Sequence, residues 1–559
     1  MSESWQSISK RKKDQQTSRI PKEWLLPAES LPPPGTLNVL DIPRKCGILD
    51  EQDLKITENY DATALVEELA TGRLKSVDVT RAFCKRAAIA HQLTNCLTEI
   101  FFEQAVERAL ALDDYLDKVG SPIGPLHGLP ISLKDTFKIP GYDASIGMVV
   151  LAFKPATSSS TLVDLLINAG AVLYCKTNVP QTLMALDSHN NVFGRVVNPL
   201  NSKVTAGGSS GGEGALVAMR GSILGVGTDV GGSIRIPAMC NNLYGIKPSW
   251  QRIPYGNQQG SGAPGSSALA LPASAGPIAT SMRDFELFLR AVAESEPWNV
   301  DPDVAYGLWD EQGFSPSKTD IVVGLVRRDG VIDPLPPINK IIDETAAMLR
   351  NQGIKTVEMD ITPLLSQCQS LANAMFGIDG NNFVFDILES AGEPLSPWLQ
   401  SRLRRKKAKS LEQVAELHAK KDELRRKFLS IWKDEHGVDI DAFLCPVAPH
   451  PVPEIDRWNG VSYTSSFVLL DYPSGTLPIR PLNATDLAGS VPSTPPLGPW
   501  DKANRELWTN VDKKVYLGTP LCVQVVAPRL QEKRLVEAMK VIDDAVKAEL
   551  ASTGGKARL

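Results

Sequence analysis

Glycine governs what the stretch from Thr205 to Pro237 can become. It reads TAGGSSGGEGALVAMRGSILGVGTDVGGSIRIP. Glycine is used where the backbone takes positive φ or comes close to another group, and it weakens an ordinary helix or strand. Gly207-Gly208 before Ser209, Gly211-Gly212 after Ser210 and Gly231-Gly232 before Ser233 are three separate breaks of that kind. Between them, Glu213 to Arg220 reads as a short helix and Ile223 to Val226 as a short apolar strand. The serines therefore fall on tight turns at element ends, where a hydroxyl can be aimed. Successive N–H groups in such turns form an anion-binding concavity. Beside a nucleophilic serine that concavity is an oxyanion hole. Upstream, a lysine stands in the phrase Gly128-Leu-Pro-Ile-Ser-Leu-Lys134-Asp-Thr-Phe137, and a Ser–Ser–Lys relay can activate a serine without histidine.

Three other motifs compete for the same run. Gly207-x-Ser209-x-Gly211 and Gly208-x-Ser210-x-Gly212 match the G-x-S-x-G elbow, but that elbow follows an apolar strand and needs a late histidine. Here the preceding Asn198–Lys203 is polar, and only His418, His436 and His450 come later. Gly225-x-Gly227 with Gly231 is one residue out of register for a dinucleotide fingerprint. A phosphate loop would need Gly-Lys-Ser or Gly-Lys-Thr, which the run lacks.

Taken with Lys134, the whole resembles the amidase signature family, on the fungal acetamidase and general-amidase side. The resemblance is carried by Gly207-Gly-Ser-Ser-Gly-Gly-Glu-Gly214, Gly227-Thr-Asp-Val-Gly-Gly-Ser-Ile-Arg235, Pro125-Leu-His-Gly-Leu-Pro-Ile-Ser-Leu-Lys-Asp135 and Lys176-Thr-Asn-Val-Pro-Gln181. Val525-Val526-Ala527-Pro528 and the proline-rich Ser490–Trp500 depart from the family pattern in their loops. The resemblance implies an α/β fold, a large twisted mixed sheet surrounded by helices. It also implies hydrolysis of a carboxylic acid amide, to the acid and ammonia or amine, through an acyl-serine. Ser233 is then the nucleophile, Ser209 (after a cis peptide bond) the proton relay and Lys134 the base. The backbone N–H groups of Val230, Gly231, Gly232 and Ser233 hold the oxyanion. Asp229 and Arg235 are read as braces of the turn, and His127 as a packed loop histidine. The implied substrate is a small aliphatic or secondary-metabolite amide, with no cofactor and no metal. Two alternatives stay open: an amidotransferase subunit that releases ammonia for a partner, and an inactive binding scaffold.

Composition narrows the surroundings of that chemistry. A net charge of −5 provides no positive field for nucleic acid. The eight cysteines are dispersed, with no CxxC, and read as reduced, mostly buried thiols. The first twenty residues are polar and include Lys10-Arg-Lys-Lys13, so they carry no signal-peptide core, though a nuclear address is an alternative reading. No apolar run is long enough to span a membrane. The expected partner is a small-molecule amide, and a homodimer is compatible. A cytoplasmic location is expected, with Ala557-Arg558-Leu559 as an alternative peroxisomal tripeptide.

Length alone would suggest several domains, but the motifs spread over one continuous unit. The organisation expected is an N-terminal arm at 1–60 that wraps the body, a single domain at 61–545 and a flexible tail at 546–559. Apolar spacing predicts helices at Ala62–Ala70, Ser76–Ala90, Glu103–Lys118, Ser160–Ala169 and Ser281–Ala293, with strands at Ala171–Cys175 and Ile321–Val326. The basic stretch Leu399–Trp432 is read as a long solvated amphipathic helix with Leu411, Val414, Leu417, Leu424 and Phe428 facing inward.

Overall fold

Continuous apolar runs between glycine and helical segments are what a strand buried on both faces requires. In the computed structural model, which describes residues 3–312, 314, 320–434, 436–457 and 460–552, the first three strands, β1 (Leu97–Ile100), β2 (Pro130–Lys134) and β3 (Val172–Thr177), are buried at every residue, their few polar side chains included. After a short hairpin, β4 (His189–Asn190) with β5 (Gly194–Arg195), come β6 (Leu224–Asp229), β7 (Tyr244–Lys247) and β8 (Ser274–Ala279). The later strands are β9 (Val322–Leu325), β10 (Lys355–Glu358), β11 (Ala442–Pro446), β12 (Ser474–Pro481) and β13 (Pro520–Val526). All but the hairpin join one mixed 11-stranded sheet in the order β1-β3-β2-β6-β8-β7-β12-β13-β11-β9-β10, with helices around it. This is the expected architecture.

The part of the sheet that matters most is β3-β2-β6, three neighbouring parallel strands. Parallel strands end on the same side, and ligands in open α/β sheets bind beyond those carboxyl ends. Lys134 closes β2 and registers with Thr177, which closes β3. Thr228 and Asp229 close β6.

Helical periodicity predicted most of the packing. Helices occupy Ala62–Ala70, Ser76–Thr94, Phe102–Val119, Thr161–Asn168 and Arg283–Glu294. Val79, Phe83, Ala87 and Ala90 are buried on one face, as are Ala105, Ala109, Leu112 and Leu116 on another. The eight cysteines are free and buried. Among the described residues no helix is long and apolar enough to cross a membrane.

Four expectations are corrected or refined. The N-terminal arm, expected to wrap the body, contains a helix, Trp5–Ser18, laid along the edge strand β1. Its Gln16 Nε2 donates to the carbonyls of Leu97 (2.7 Å) and Thr98 (2.9 Å), covering an edge that would otherwise present free backbone groups. Lys12 of the basic run is buried between Glu99 (2.5 Å) and Asp143 (2.6 Å), so the run is not a free cationic surface. The last helix spans Glu532–Ser552, which places 546–552 in regular structure and not in a flexible tail; Ala557-Arg558-Leu559 lies outside the described residues. In the basic stretch the long helix covers only Leu411–Leu429, with a short helix ending at Gln400 before it and a 3-10 turn at Ser430–Trp432 after it. There Val414, Leu424 and Phe428 are buried, while Leu411, in the first turn, is 78% exposed.

Candidate active site

Lys134 ends β2 with its side chain inside the protein, 0% exposed. Its Nζ lies 2.7 Å from Ser209 Oγ, 2.8 Å from Thr228 Oγ1 and 3.2 Å from the Thr228 carbonyl oxygen. These partners are dipoles, not counter-ions. Burial therefore dominates and takes the amine down to about 7, although the Asp229 and Glu213 carboxylates oppose it. A lysine in that range supplies a substantial neutral fraction at physiological pH, and a neutral amine has a lone pair to accept a proton.

The two serine turns meet above this lysine. Ser209 and Ser210 precede helix Gly211–Ala218, and the peptide bond Gly208–Ser209 is cis. The Ser210 amide donates to the Ser233 carbonyl at 3.1 Å, which fastens one turn to the other. Gly208 is forced by packing: a Cβ there would lie 2.6 Å from the Ala185 carbonyl oxygen and 2.8 Å from the Asp187 nitrogen. Exposure falls from Ser233 (9%) through Ser209 (3%) to Lys134 (0%), so the three side chains run from the mouth of the site to its bottom. Ser209 bonds to Lys134, whereas among the described residues Ser233 Oγ makes no hydrogen bond, including none to Ser209.

The turn Val230–Ser233 is held from below by Asp229. Burial disfavours this carboxylate, yet Arg235 outweighs burial and takes it down to about 2. Arg235 donates from Nε to Oδ2 (3.0 Å) and from Nη2 to Oδ1 (2.9 Å), a bidentate pair with both side chains 0% exposed. Asp229 also accepts the amides of Gly232 at 2.7 Å and Ile234 at 3.1 Å. This bears on one expectation: the Gly232 N–H is committed to Asp229, which leaves it no free hydrogen for an oxyanion. Among the described residues the amides of Val230, Gly231 and Ser233 donate to no protein group, so three donors line the turn. Gly232 has φ +126°, a conformation that favours glycine.

Asp229 and Arg235 are thus braces, as the sequence indicated. Asp229→Asn should leave the Arg235 guanidinium buried without its counter-charge and destabilise the protein by about 3–5 kcal/mol. A denaturant titration against wild type measures this; equal midpoints would show that the pair carries no stability.

Several contributors escaped the sequence reading. Thr228 cradles Lys134, Thr464 Oγ1 donates to the Gly231 carbonyl (2.6 Å), and Gln524 accepts from Arg235 Nη1 (2.7 Å). Thr464 and Gln524 come from distant segments that no local spacing connects. Thr228 did carry a signal, since it stands between Gly227 and Asp229 at the end of a strand. The elbow reading does not hold: His418 Nε2 pairs with the Leu269 carbonyl and His450 with Pro451 O and the Gly460 amide. His127 is packed in its loop, its Nδ1 accepting the Ile123 amide at 3.2 Å. Among the described residues no group of three or more His, Cys, Asp or Glu side chains is placed to hold a metal ion.

Comparison with known proteins agrees with this geometry. The family model described as Amidase matches residues 78–536. An acetamidase of Aspergillus oryzae is 38% identical over 542 residues, covering 95% of this chain and 97% of the relative. An acetamidase of Emericella nidulans is 37% identical, covering 96% and 97%. Among solved structures, a fatty acid amide hydrolase superposes with a TM-score of 0.87 at 30% identity, covering 96% of this chain and 94% of the other. With matches that span nearly the whole length of both partners and include the Lys134, Ser209 and Ser233 segments, the chain belongs to the amidase signature family.

Proposed function

We propose that this enzyme, an amide hydrolase by family, cleaves a small aliphatic or secondary-metabolite amide to the acid and ammonia or amine by way of an acyl-Ser233. The observation that carries the mechanism is the buried amine of Lys134, 2.7 Å from Ser209 Oγ. A serine hydroxyl is a weak nucleophile until a base takes its proton. Neutral Lys134 draws the proton of Ser209, which in turn draws that of Ser233 as Ser233 Oγ attacks the amide carbon. The C=O π bond opens onto oxygen, and the amides of Val230, Gly231 and Ser233 support the oxyanion. As the C–N bond breaks, the proton returns from Lys134 through Ser209 to the leaving nitrogen. Water then attacks the ester by the same relay and releases the acid. Small substrates are supported by the acetamidase relatives. The cytosol is the compartment proposed with this reading.

Two measurements test it. Ammonia release should be seen with primary amides in a panel of graded acyl length; no release from any member would reject the proposal. The rate kcat/KM should also fall on the acid side of about pH 7, because protonated Lys134 cannot accept a proton. Each further pH unit should cost about tenfold, so the rate at pH 5 should be roughly 100-fold below its plateau. A flat profile between about pH 5 and 9 contradicts a neutral lysine base.

A further inference from the structure

Glu213 sits in the first turn of helix Gly211–Ala218, and it is 0% exposed. Its Oε2 accepts from Ser132 Oγ at 2.6 Å and its Oε1 from Thr177 Oγ1 at 2.9 Å. Ser132 and Lys134 are two residues apart on β2, so their side chains leave the strand on one face, about 7 Å apart. Thr177 is the residue registered with Lys134 on β3. On β6, Gly225 registers with Ser132, and a Cβ at Gly225 would lie 2.1 Å from Glu213 Oε2. Three adjacent strands thus make a slot for this carboxylate beneath the relay. Among the described residues no lysine or arginine pairs with it within 4 Å, whereas Asp229 is neutralised by Arg235.

We propose that Glu213 is a positioning residue of the relay, a buried carboxyl group held across β2, β3 and β6 that acts on Lys134 from beneath. The inference rests on Lys134 being the base. The remaining ionisable groups around the pair do not interfere. Burial pushes the Cys96 thiol up to about 12 and the Cys175 thiol and Tyr174 hydroxyl well above their ordinary ranges, so the three that face Glu213 stay neutral. Tyr255 is pushed up to about 12 by burial and also stays neutral. Asp135, directly after Lys134 and just beyond the end of β2, is engaged with Lys176 at 3.3 Å. Asp229 faces Lys134 too, but its charge is matched by Arg235, with Lys247 of β7 adding a second positive group. Burial pushes Glu213 itself up to about 7, the same range as Lys134, so the two titrate as a coupled pair.

The test is the pH profile of kcat/KM for one amide in wild type, Glu213→Gln and Ser132→Ala. Glu213→Gln keeps the side-chain shape and removes the charge that favours protonated Lys134. Its acid limb should move to lower pH by about one unit, the size expected of one partly screened interior charge. Ser132→Ala removes one donor that keeps the carboxylate ionised, and should move the limb the same way by less. An acid limb in Glu213→Gln that is unmoved or shifted upward overturns the proposal, even with a lower rate, because a purely structural role lowers kcat at every pH. Should Glu213→Gln fail to fold, an unmoved limb in Ser132→Ala overturns it equally. Absence of an acid limb in the wild type would instead remove Lys134 as the base, and this inference with it.

Discussion

Ser233→Ala is expected to lower kcat by on the order of 10⁵-fold while leaving the protein folded. The size follows from the chemistry: without Oγ there is no acyl-enzyme, and what survives is the assistance that the three turn amides give to attack by water. The intact fold follows from the structure. Ser233 Oγ has no hydrogen bond among the described residues, and the turn is held by backbone and by Asp229, neither of which the substitution touches. Removing a hydroxyl of that kind should change stability by no more than about 0.5 kcal/mol. Turnover of the best amide in the panel, measured together with the unfolding midpoint, checks both halves. A variant that hydrolyses amides at near wild-type rate would show that the nucleophile lies elsewhere.

Lys134→Ala should produce a loss of different character, one that depends on the leaving group. An amine departs only if it is protonated, so an amide needs the proton that Lys134 stores and returns. An alkoxide or phenoxide departs more readily without that help. With acyl group held constant, kcat/KM should fall by ~10⁴ for the amide and by ~10² for the ester. The ratio is the informative quantity, since deleting a side chain that is 0% exposed also leaves a cavity and lowers stability for both substrates alike. Equal losses on amide and ester would mean that Lys134 holds the site together but moves no proton. The residual ester activity should also lose its dependence on pH near 7.

How far the residues announced this arrangement varies with the physical distance over which each piece is determined. The helix at Ala62–Ala70 is local: its alternation of apolar positions and the stop at Gly72 belong to one short window, and its boundaries agree with the expected ones. The helix expected at Glu213–Arg220 begins earlier, at Gly211. Two glycines open it despite their low helical propensity, because the backbone must press against its neighbours. A Cβ at Gly212 would lie 2.4 Å from the Asn178 nitrogen. Tertiary packing overrides propensity there. Lys134, Ser209 and Ser233 were legible because their glycine-rich surroundings form a long pattern. The commitment of the Gly232 amide was not, since a list of successive N–H groups says nothing about which one turns inward. Lys12 was equally hidden. Within its own segment it is one cation in a basic run, and only the fold brings Asp143, 131 residues away, to its ammonium group. Leu411 shows the opposite error: the apolar spacing is present, but the first turn of that helix has nothing to pack against.

The bond from Arg235 to Gln524 has a consequence for the timing of biosynthesis. It links the nucleophile turn to a strand 289 residues farther along the chain. At about 5–20 residues per second, the ribosome delivers that strand roughly 15–60 s after Arg235. Until then the guanidinium lacks one of its acceptors, and β12, itself late in the chain, lacks its neighbour β13. A nascent chain therefore carries all three relay residues early but has no finished scaffold to aim them.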